Sequence, residues 1–251
     1  MKNKSNTDIL FGPHSVIEAL KANRRDFRTI FISKDIASSE RGLTIRELAE
    51  ERRVPLKEMS SVNLKQKTGS DLHQGVGAEV GPYPAADIHK VLATLHSASF
   101  LLIADGIQDP QNLGALLRTA LCAGVDAVII PRNRAAPPTP TVSRTSAGAL
   151  EHLQLVRATN ITDIIKDLKK NNLWIIGTDL SAGTPVFSAD LNVPLALIIG
   201  SEGKGIRPLV KKNCDLLISI PQRGSLGSLN ASAAGAVVMY EVFRQRTPGF
   251  E

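Results

Sequence analysis

The sequence predicts an α/β protein built on a mostly parallel sheet, preceded by a smaller α/β unit. Three observations carry this. From residue 100 onward, short runs of Val, Ile, Leu and Ala recur without the polar alternation of a half-exposed strand. Stretches with helical periodicity separate them, as parallel strands require for their crossovers. Before residue 81 the segments are shorter and more charged, and Gly81-Pro-Tyr-Pro84 interrupts the pattern with two prolines that suit a stiff linker.

The expected strands of the main part are Phe100–Ala104, Ala127–Ile130, Leu153–Val156, Trp174–Ile176, Leu195–Ile199 and Leu216–Ile220. Helical patterns fall near 111–123, 141–151, 161–171 and 207–213, with a last helix near 229–246. In the smaller part, a helix around His14–Ala22, a strand at Thr29–Ile32, a charged helix at Thr44–Arg53 and strands near 54–58 and 75–80 predict a compact α/β sandwich. The expected organisation is a flexible N-terminus over 1–7, a small domain over 8–80, a linker over 81–94 and the main domain over 95–251. A length of 251 residues accommodates that plan.

Composition narrows the function. The net charge of +6 favours an anionic partner such as nucleic acid. The excess is spread evenly, +3 over residues 1–80 and +3 over the remainder. Cys122 and Cys214 belong to no CxxC pair, and the five histidines show no ligand spacing, so neither a disulfide framework nor a metal site is expected. The N-terminus lacks the apolar core of a signal peptide, and the long uncharged run at 224–240 is broken by Ser, Asn and Gly. A cytoplasmic location is the simplest expectation.

Three segments could carry chemistry, each following an expected strand. In Asp105-Gly-Ile-Gln-Asp-Pro-Gln-Asn-Leu-Gly-Ala-Leu-Leu-Arg-Thr119, Asp109 and Pro110 supply an N-cap and a first-turn proline. Leu113, Leu116, Leu117, Ala120 and Leu121 form the expected buried stripe, with Arg118 off it and Gly114 one turn earlier on Arg118's side. Either Gly114 lets a ligand approach while Arg118 reaches over it, or Arg118 is a solvated surface arginine. Ile199-Gly-Ser-Glu-Gly-Lys-Gly205 is glycine-rich but is neither a Walker A loop nor a dinucleotide fingerprint. Gln222-Arg-Gly-Ser-Leu-Gly-Ser-Leu-Asn230 is a Gly/Ser loop that runs into a helix of small and apolar residues. In a parallel sheet the three loops share one edge and can converge on one pocket. Lys204, Arg207, Lys211, Lys212 and Arg223 lie near them, with Arg132, Arg134 and Arg144 in the Pro-rich region 131–144. A basic rim suits a phosphate-bearing polymer, although a solvated charged face is the plainer reading.

Together these segments resemble the SpoU/TrmH family of RNA ribose 2′-O-methyltransferases, within the SPOUT class. The matching motifs are Asp109–Ala120, Ile199–Gly205, and Ile220-Pro with Ser228-Leu-Asn-Ala-Ser-Ala-Ala234. Gly12–Leu20 and His73–Ala78 resemble the family's RNA substrate-binding domain. The two-domain layout is most similar to bacterial enzymes that methylate a guanosine ribose of large-subunit 23S ribosomal RNA.

The resemblance implies a C-terminal deep trefoil knot, S-adenosylmethionine bound in it, a homodimer, an RNA partner and no metal. It assigns the donor to a pocket with Gly200, Ile220, Leu229, Thr178 and Pro221, and gives Arg118 the central catalytic role. Asn112, Glu202, Ser228 and Asn230 are expected to hold that arrangement, while Ser225 has no assigned role. Deprotonating a guanidinium near neutral pH is very costly. The expected task of Arg118 is therefore to grip a phosphate and stabilise the developing ribose oxyanion. The rival readings are a transfer-RNA target, a non-catalytic RNA-binding protein of the same fold, and an unrelated nucleotide-binding enzyme.

Overall fold

The computed structural model describes residues 7–223, 228–247 and 249. The expectations for a flexible segment over 1–7 and for Ser225 fall, apart from Thr7, outside the described residues. In chain order the first elements are β1 (Asp8–Phe11), α1 (Pro13–Ala22), β2 (Phe27–Ile32), α2 (Lys34–Ala37), α3 (Glu40–Glu51), β3 (Leu56–Glu58), α4 (Ser61–Thr68) and β4 (Val76–Val80). Next come α5 (Ile88–Ala93), β5 (Phe100–Asp105), α6 (Pro110–Cys122), β6 (Ala127–Pro131), α7 (Pro140–Thr145), α8 (Ala149–His152) and β7 (Gln154–Ala158). The chain ends with α9 (Ile161–Lys170), β8 (Trp174–Thr178), β9 (Thr184–Pro185), β10 (Leu195–Gly200), α10 (Pro208–Lys211), β11 (Leu216–Ser219) and α11 (Ala231–Arg246).

Two compact units form. One takes residues 1–84 together with 138–152, the other 85–137 together with 153–251. In the first unit the sheet order is β1-β4-β2-β3, antiparallel except for the parallel β2–β3 pair. Val16, Ile17, Ala19 and Leu20 of α1 and Ile45 and Ala49 of α3 bury their apolar stripes beside these strands. Ser39 caps α3 by accepting the Gly42 amide at 3.2 Å, so that helix starts at Glu40, ahead of the expected Thr44.

The helix expected over 141–151 is broken. Ala147 (φ 52°) and Gly148 (φ 86°) take the left-handed conformation between α7 and α8. A Cβ on Gly148 would sit 2.5 Å from the Cβ of Glu18, so α1 approaches too closely for any side chain there. The two short helices belong to the first unit because of a buried ion pair. Arg25, only 5% exposed, donates from Nε to Glu151 Oε2 at 2.7 Å and from Nη2 to Oε1 at 3.1 Å. Its Nη1 reaches Asp8 Oδ2 at 2.8 Å and the Gly81 carbonyl at 3.2 Å, and Ser143 Oγ donates to Glu151 Oε1 at 2.7 Å. Arg24 is similarly engaged, by the carbonyls of Glu151 and Pro84. Both arginines are thus fasteners of this unit, and Arg28 pairs with Glu79 at 3.8 Å.

The second unit is built on a seven-stranded sheet in the order β7-β6-β5-β10-β8-β11-β9, every pair parallel. Leu101, Ile103, Ala196 and Ile198 share one core with Ile161, Ile164, Ile165 and Leu168 of α9, Val91 of α5 and Val210 of α10. Alternate residues face the other side, where α6 and α11 lie. There a Cβ on Gly235 would meet Leu116 Cδ2 at 2.3 Å and Ile199 Cγ1 at 3.7 Å. The small residues of α11 therefore let it press against α6 and β10. On α6, Leu113, Leu116, Leu117 and Ala120 are buried as expected, whereas Leu121 is 38% exposed and Gly114 is buried.

The segment 81–94, expected as a linker, holds α5, capped by Asp87 and anchored by buried Val91. At the other end of the chain, Arg246 donates to the carbonyls of Ala98 (2.7 Å) and Val193 (2.5 Å) and stacks over Phe100. Among the described residues no helix is long and apolar enough to cross a membrane.

Replacing Arg25 with Met should strand the Glu151 carboxylate in a buried site at a cost of about 3–5 kcal/mol. A thermal melt is expected to fall by roughly 6–20 °C. Arg28→Met, at an exposed pair, should shift it by no more than a degree or two.

Candidate active site

Parallel pairing puts the carboxyl ends of β8, β10 and β11 on one edge, at Thr178, Gly200 and Ser219. The loops beyond them enclose a cavity of about 470 Å³. Its floor is Ile199, Gly200, Ile218 and Ile220; its walls are Asp179, Leu180 and Ser181 after β8 and Ser201–Gly205 after β10. Gln222, Ser228 and Leu229 and the first turns of α11, at Ala231 and Ala234, complete it.

The glycines after β10 serve a tight turn. Ser201 and Gly205 exchange backbone hydrogen bonds of 3.1 and 2.9 Å, and Gly203 and Gly205 have φ of 75° and 63°. A Cβ on Gly200 would lie 2.1 Å from the carbonyl carbon of Gly205, so only glycine permits the fold-back. Asp105, 1% exposed at the end of β5, secures the far side of this turn. It accepts the Arg207 amide at 3.0 Å and the Arg207 Nε at 2.7 Å. Arg207 is therefore committed in part to the turn.

One end of this loop meets α6 and α11 through hydrogen bonds. Asn230 caps α11, its Oδ1 accepting the amides of Ser232 at 2.9 Å and Ala233 at 3.4 Å. The amide group is thereby oriented, and Nδ2 points to acceptors. It donates to Asn112 Oδ1 at 2.9 Å and to Glu202 Oε1. Asn112 Nδ2 donates to the same Glu202 oxygen at 3.0 Å, and the Ala231 amide adds a contact at 3.4 Å. A carboxylate at the start of α11 also complements the helix dipole. Three segments far apart in sequence thus converge on one oxygen.

Asp179 faces the cavity from the opposite loop and pairs with Lys211 at 2.5 Å. The Lys211 hydrogen bond, with help from Ser181, holds the Asp179 carboxyl below its ordinary pKa. A depressed carboxylate stabilises the fold above its unfolded pKa, so this clasp is intact at neutral pH and is lost only as pH falls through the lowered value. Cys214, behind the strands, has its thiol pushed up to about 11 by burial. No cluster of three or more potential metal ligands occurs among the described residues.

Of the expected site residues, Gly200, Ile220, Leu229 and Thr178 line the cavity together with Glu202 and Ser228. Asn112 and Asn230 join through Glu202 without lining it, and Pro221 is exposed outside it. Arg118 is exposed on α6 and makes no hydrogen bond or ion pair among the described residues. Gly114 is buried and so leaves no open groove beside it. Lys211, expected on the basic rim, lines the cavity, whereas Asp179, Leu180 and Ser181 are pocket residues that the sequence reading missed. The polar Thr178-Asp-Leu-Ser181 after a buried strand was the available signal, a fourth strand end beside the three that were used.

Comparison with known proteins now decides the family. A model described as the SpoU rRNA Methylase family matches residues 99–240, more than half of the chain. The chain belongs to the SpoU rRNA methylase family. It is a methyltransferase of that family, and residues 9–86 match the model for RNA 2′-O ribose methyltransferase substrate binding. A Bacillus subtilis protein provisionally named as a TrmH family tRNA/rRNA methyltransferase is 38% identical, covering 96% of this chain and 97% of its own. The 23S rRNA (guanosine-2′-O-)-methyltransferase of Salmonella typhimurium is 37% identical over 96% of this chain and all of its own. Among solved structures, the SpoU methyltransferase AviRb from Streptomyces viridochromogenes, in complex with AdoMet, superposes with a TM-score of 0.82. It shares 25% identity and covers 98% of this chain and 94% of its own.

Removing the shared acceptor should loosen that edge. Glu202→Ala is expected to lower the melting temperature by a few degrees, a loss of about 1 kcal/mol for an exposed, charge-assisted cluster. Glu202→Gln, which keeps the shape but loses the charge, should recover part of it in the same melt.

Proposed function

We propose that the protein transfers a methyl group from S-adenosylmethionine to the ribose 2′-hydroxyl of a guanosine in 23S ribosomal RNA, in the cytoplasm. The observation that carries this reading is the double membership of Glu202, which lines the cavity and also ties Asn112 to Asn230. A pocket for the donor and a polar cluster for the acceptor thereby share one residue. The full-length likeness to the Salmonella 23S enzyme supports the target.

The cavity residues suit the donor. A volume of about 470 Å³ is in the range for small-cofactor pockets, about 300–1,000 Å³. Apolar Ile199, Leu180, Ile218 and Leu229 can flank a flat base, and Asp179, Ser181 and the backbone of 200–205 offer polar partners to a ribose or amino acid. When bound, S-adenosylmethionine supplies an electrophilic methyl group. Gly200, Thr178, Ile220 and Leu229, which line the cavity, would hold it there, in the knot that the family implies. The β10-β8-β11 strand order and the return of α11 onto α6 support that topology.

On the acceptor side, the exposed Arg118 guanidinium makes no hydrogen bond or ion pair among the described residues. It grips a phosphate next to the target ribose and stabilises the 2′-oxygen as its proton leaves to phosphate or water. Asn112, Glu202, Ser228 and Asn230 orient the approach, which alone is worth several kcal/mol of barrier. Exposed Tyr240 and Leu121 support a homodimer formed through the α11 side of this unit.

Arg118→Ala should leave S-adenosylmethionine affinity within about threefold by calorimetry and cut turnover more than tenfold, at least about 1.4 kcal/mol of barrier. Turnover within tenfold of the unaltered chain would take Arg118 out of the mechanism. Mass-spectrometric mapping of ribose methylation in a deletion strain should show one lost mark in 23S RNA. A mark lost from transfer RNA alone would move the target there. Sedimentation at micromolar concentration should give a dimer, and a sole species at the chain mass of 26.9 kDa would refute it.

A further inference from the structure

The first unit contains a second cleft, of about 110 Å³, where α1 begins. It is lined by Gly12, Pro13, His14 and Ser15 from the start of α1 and by Arg144 from α7, and no Asp or Glu lines it. The helix opens without a side-chain cap. Pro13 has no amide hydrogen, and the amides of His14 and Ser15 meet no backbone acceptor among the described residues. These donors stand at the positive end of a ten-residue helix.

Two buried side-chain donors in the same cleft also lack partners among the described residues. Ser15 is 1% exposed and its Oγ has none; nor has the buried Nε of Arg144. Buried polar atoms are seldom left unsatisfied, and each such atom calls for an explanation. Among the described residues the Arg144 side chain makes no hydrogen bond. Its guanidinium lies 5.8 Å from the centroid of the Phe11 ring, and its Cγ would be 3.5 Å from a Cβ on Gly12. Gly12 has φ of 89°, a backbone conformation that favours glycine, and the arginine stem lies in ordinary van der Waals reach of it. No ion pair involves this guanidinium among the described residues, in contrast to Arg25 in the same unit.

We propose that this cleft is a phosphate subsite, in which the α1 amides, Ser15 Oγ and Arg144 together take one phosphodiester of the substrate RNA. The inference rests on the reading of the chain as an RNA-modifying enzyme. A helix start with free amides and a forked cation is the donor set that a tetrahedral oxyanion matches. The volume, room for about three to four water-sized groups, suits a phosphate and not a nucleoside. The sequence offers Arg144 only as one of several cations on the rim of the main pocket; its place at α1 assigns it to a separate contact.

The test is filter binding of the full chain to a protein-free 23S RNA transcript between about 50 and about 200 mM salt. Arg144→Gln should weaken binding by about tenfold and reduce the log–log salt slope by about 0.7–0.9, the loss of one phosphate contact. Ser15→Ala should weaken binding by about threefold with the slope unchanged. Calorimetry should show unaltered S-adenosylmethionine affinity in both. A folded Arg144→Gln chain that binds with the original affinity and slope overturns the proposal. If that variant fails to fold, unchanged affinity in Ser15→Ala overturns it. Chemical-shift changes at the His14 and Ser15 amides on adding inorganic phosphate, with an unaltered RNA slope in Arg144→Gln, would mark a free-phosphate site and also overturn it. Because binding is the readout, failure of the unaltered chain to methylate 23S RNA would sink the proposed target and leave this inference to its own result.

Discussion

Parallel pairing of β10 with both β5 and β8 is the constraint on which the site depends. Register Leu195↔Phe100 and Leu195↔Trp174 brings three strands level, so Asp105, Gly200 and Thr178 finish near one edge. The polar contacts of the site are then arranged by loops leaving that edge. Asp105 fastens Arg207, Glu202 gathers Asn112 and Asn230, and Asp179 holds Lys211. Strands buried on both faces supply the rigidity, and the loops spend it on placement.

The same economy explains the small residues of the last helix. Gly235 lets α11 lie against Leu116 and Ile199, and that closeness is what carries Asn230, at the head of the helix, to Asn112 and Glu202. A larger residue at 235 would lever the cap away from its partners. Packing and polar geometry are here a single requirement. Arg246 at the other end of the helix fixes its axis by holding the carbonyls of Ala98 and Val193.

Charge divides along similar lines. Among the cations of the chain, Arg25, Arg24, Arg207 and Lys211 are engaged in holding the fold. Arg118 and Arg144 make no ion pair among the described residues, and these are the two that the proposals assign to phosphate. A cation that has a carboxylate partner is already partly neutralised, so counting Lys and Arg overstates what is available to RNA.

The sequence by itself determined six of the seven strands of the larger sheet, their parallel arrangement and the three loops that lead to the edge, because unbroken apolar runs and glycine-rich turns are local signals; two-residue β9 left no such signal. It also determined Asn112, Glu202 and Asn230 as a group, since they stand in motifs of recognisable wording. Only the tertiary structure decided which residues those motifs touch. Burial of Gly114, exposure of Leu121, the break at Ala147-Gly148 and the capture of α7 and α8 by the first unit all follow from close approaches of distant segments. A Cβ clash with Glu18 or Leu116 has no trace in the residues flanking the glycine. Nor does the buried pairing of Arg25 with Glu151, 126 positions apart, leave any periodic mark, because a hydrogen bond across the fold obeys distance in space and not spacing along the chain.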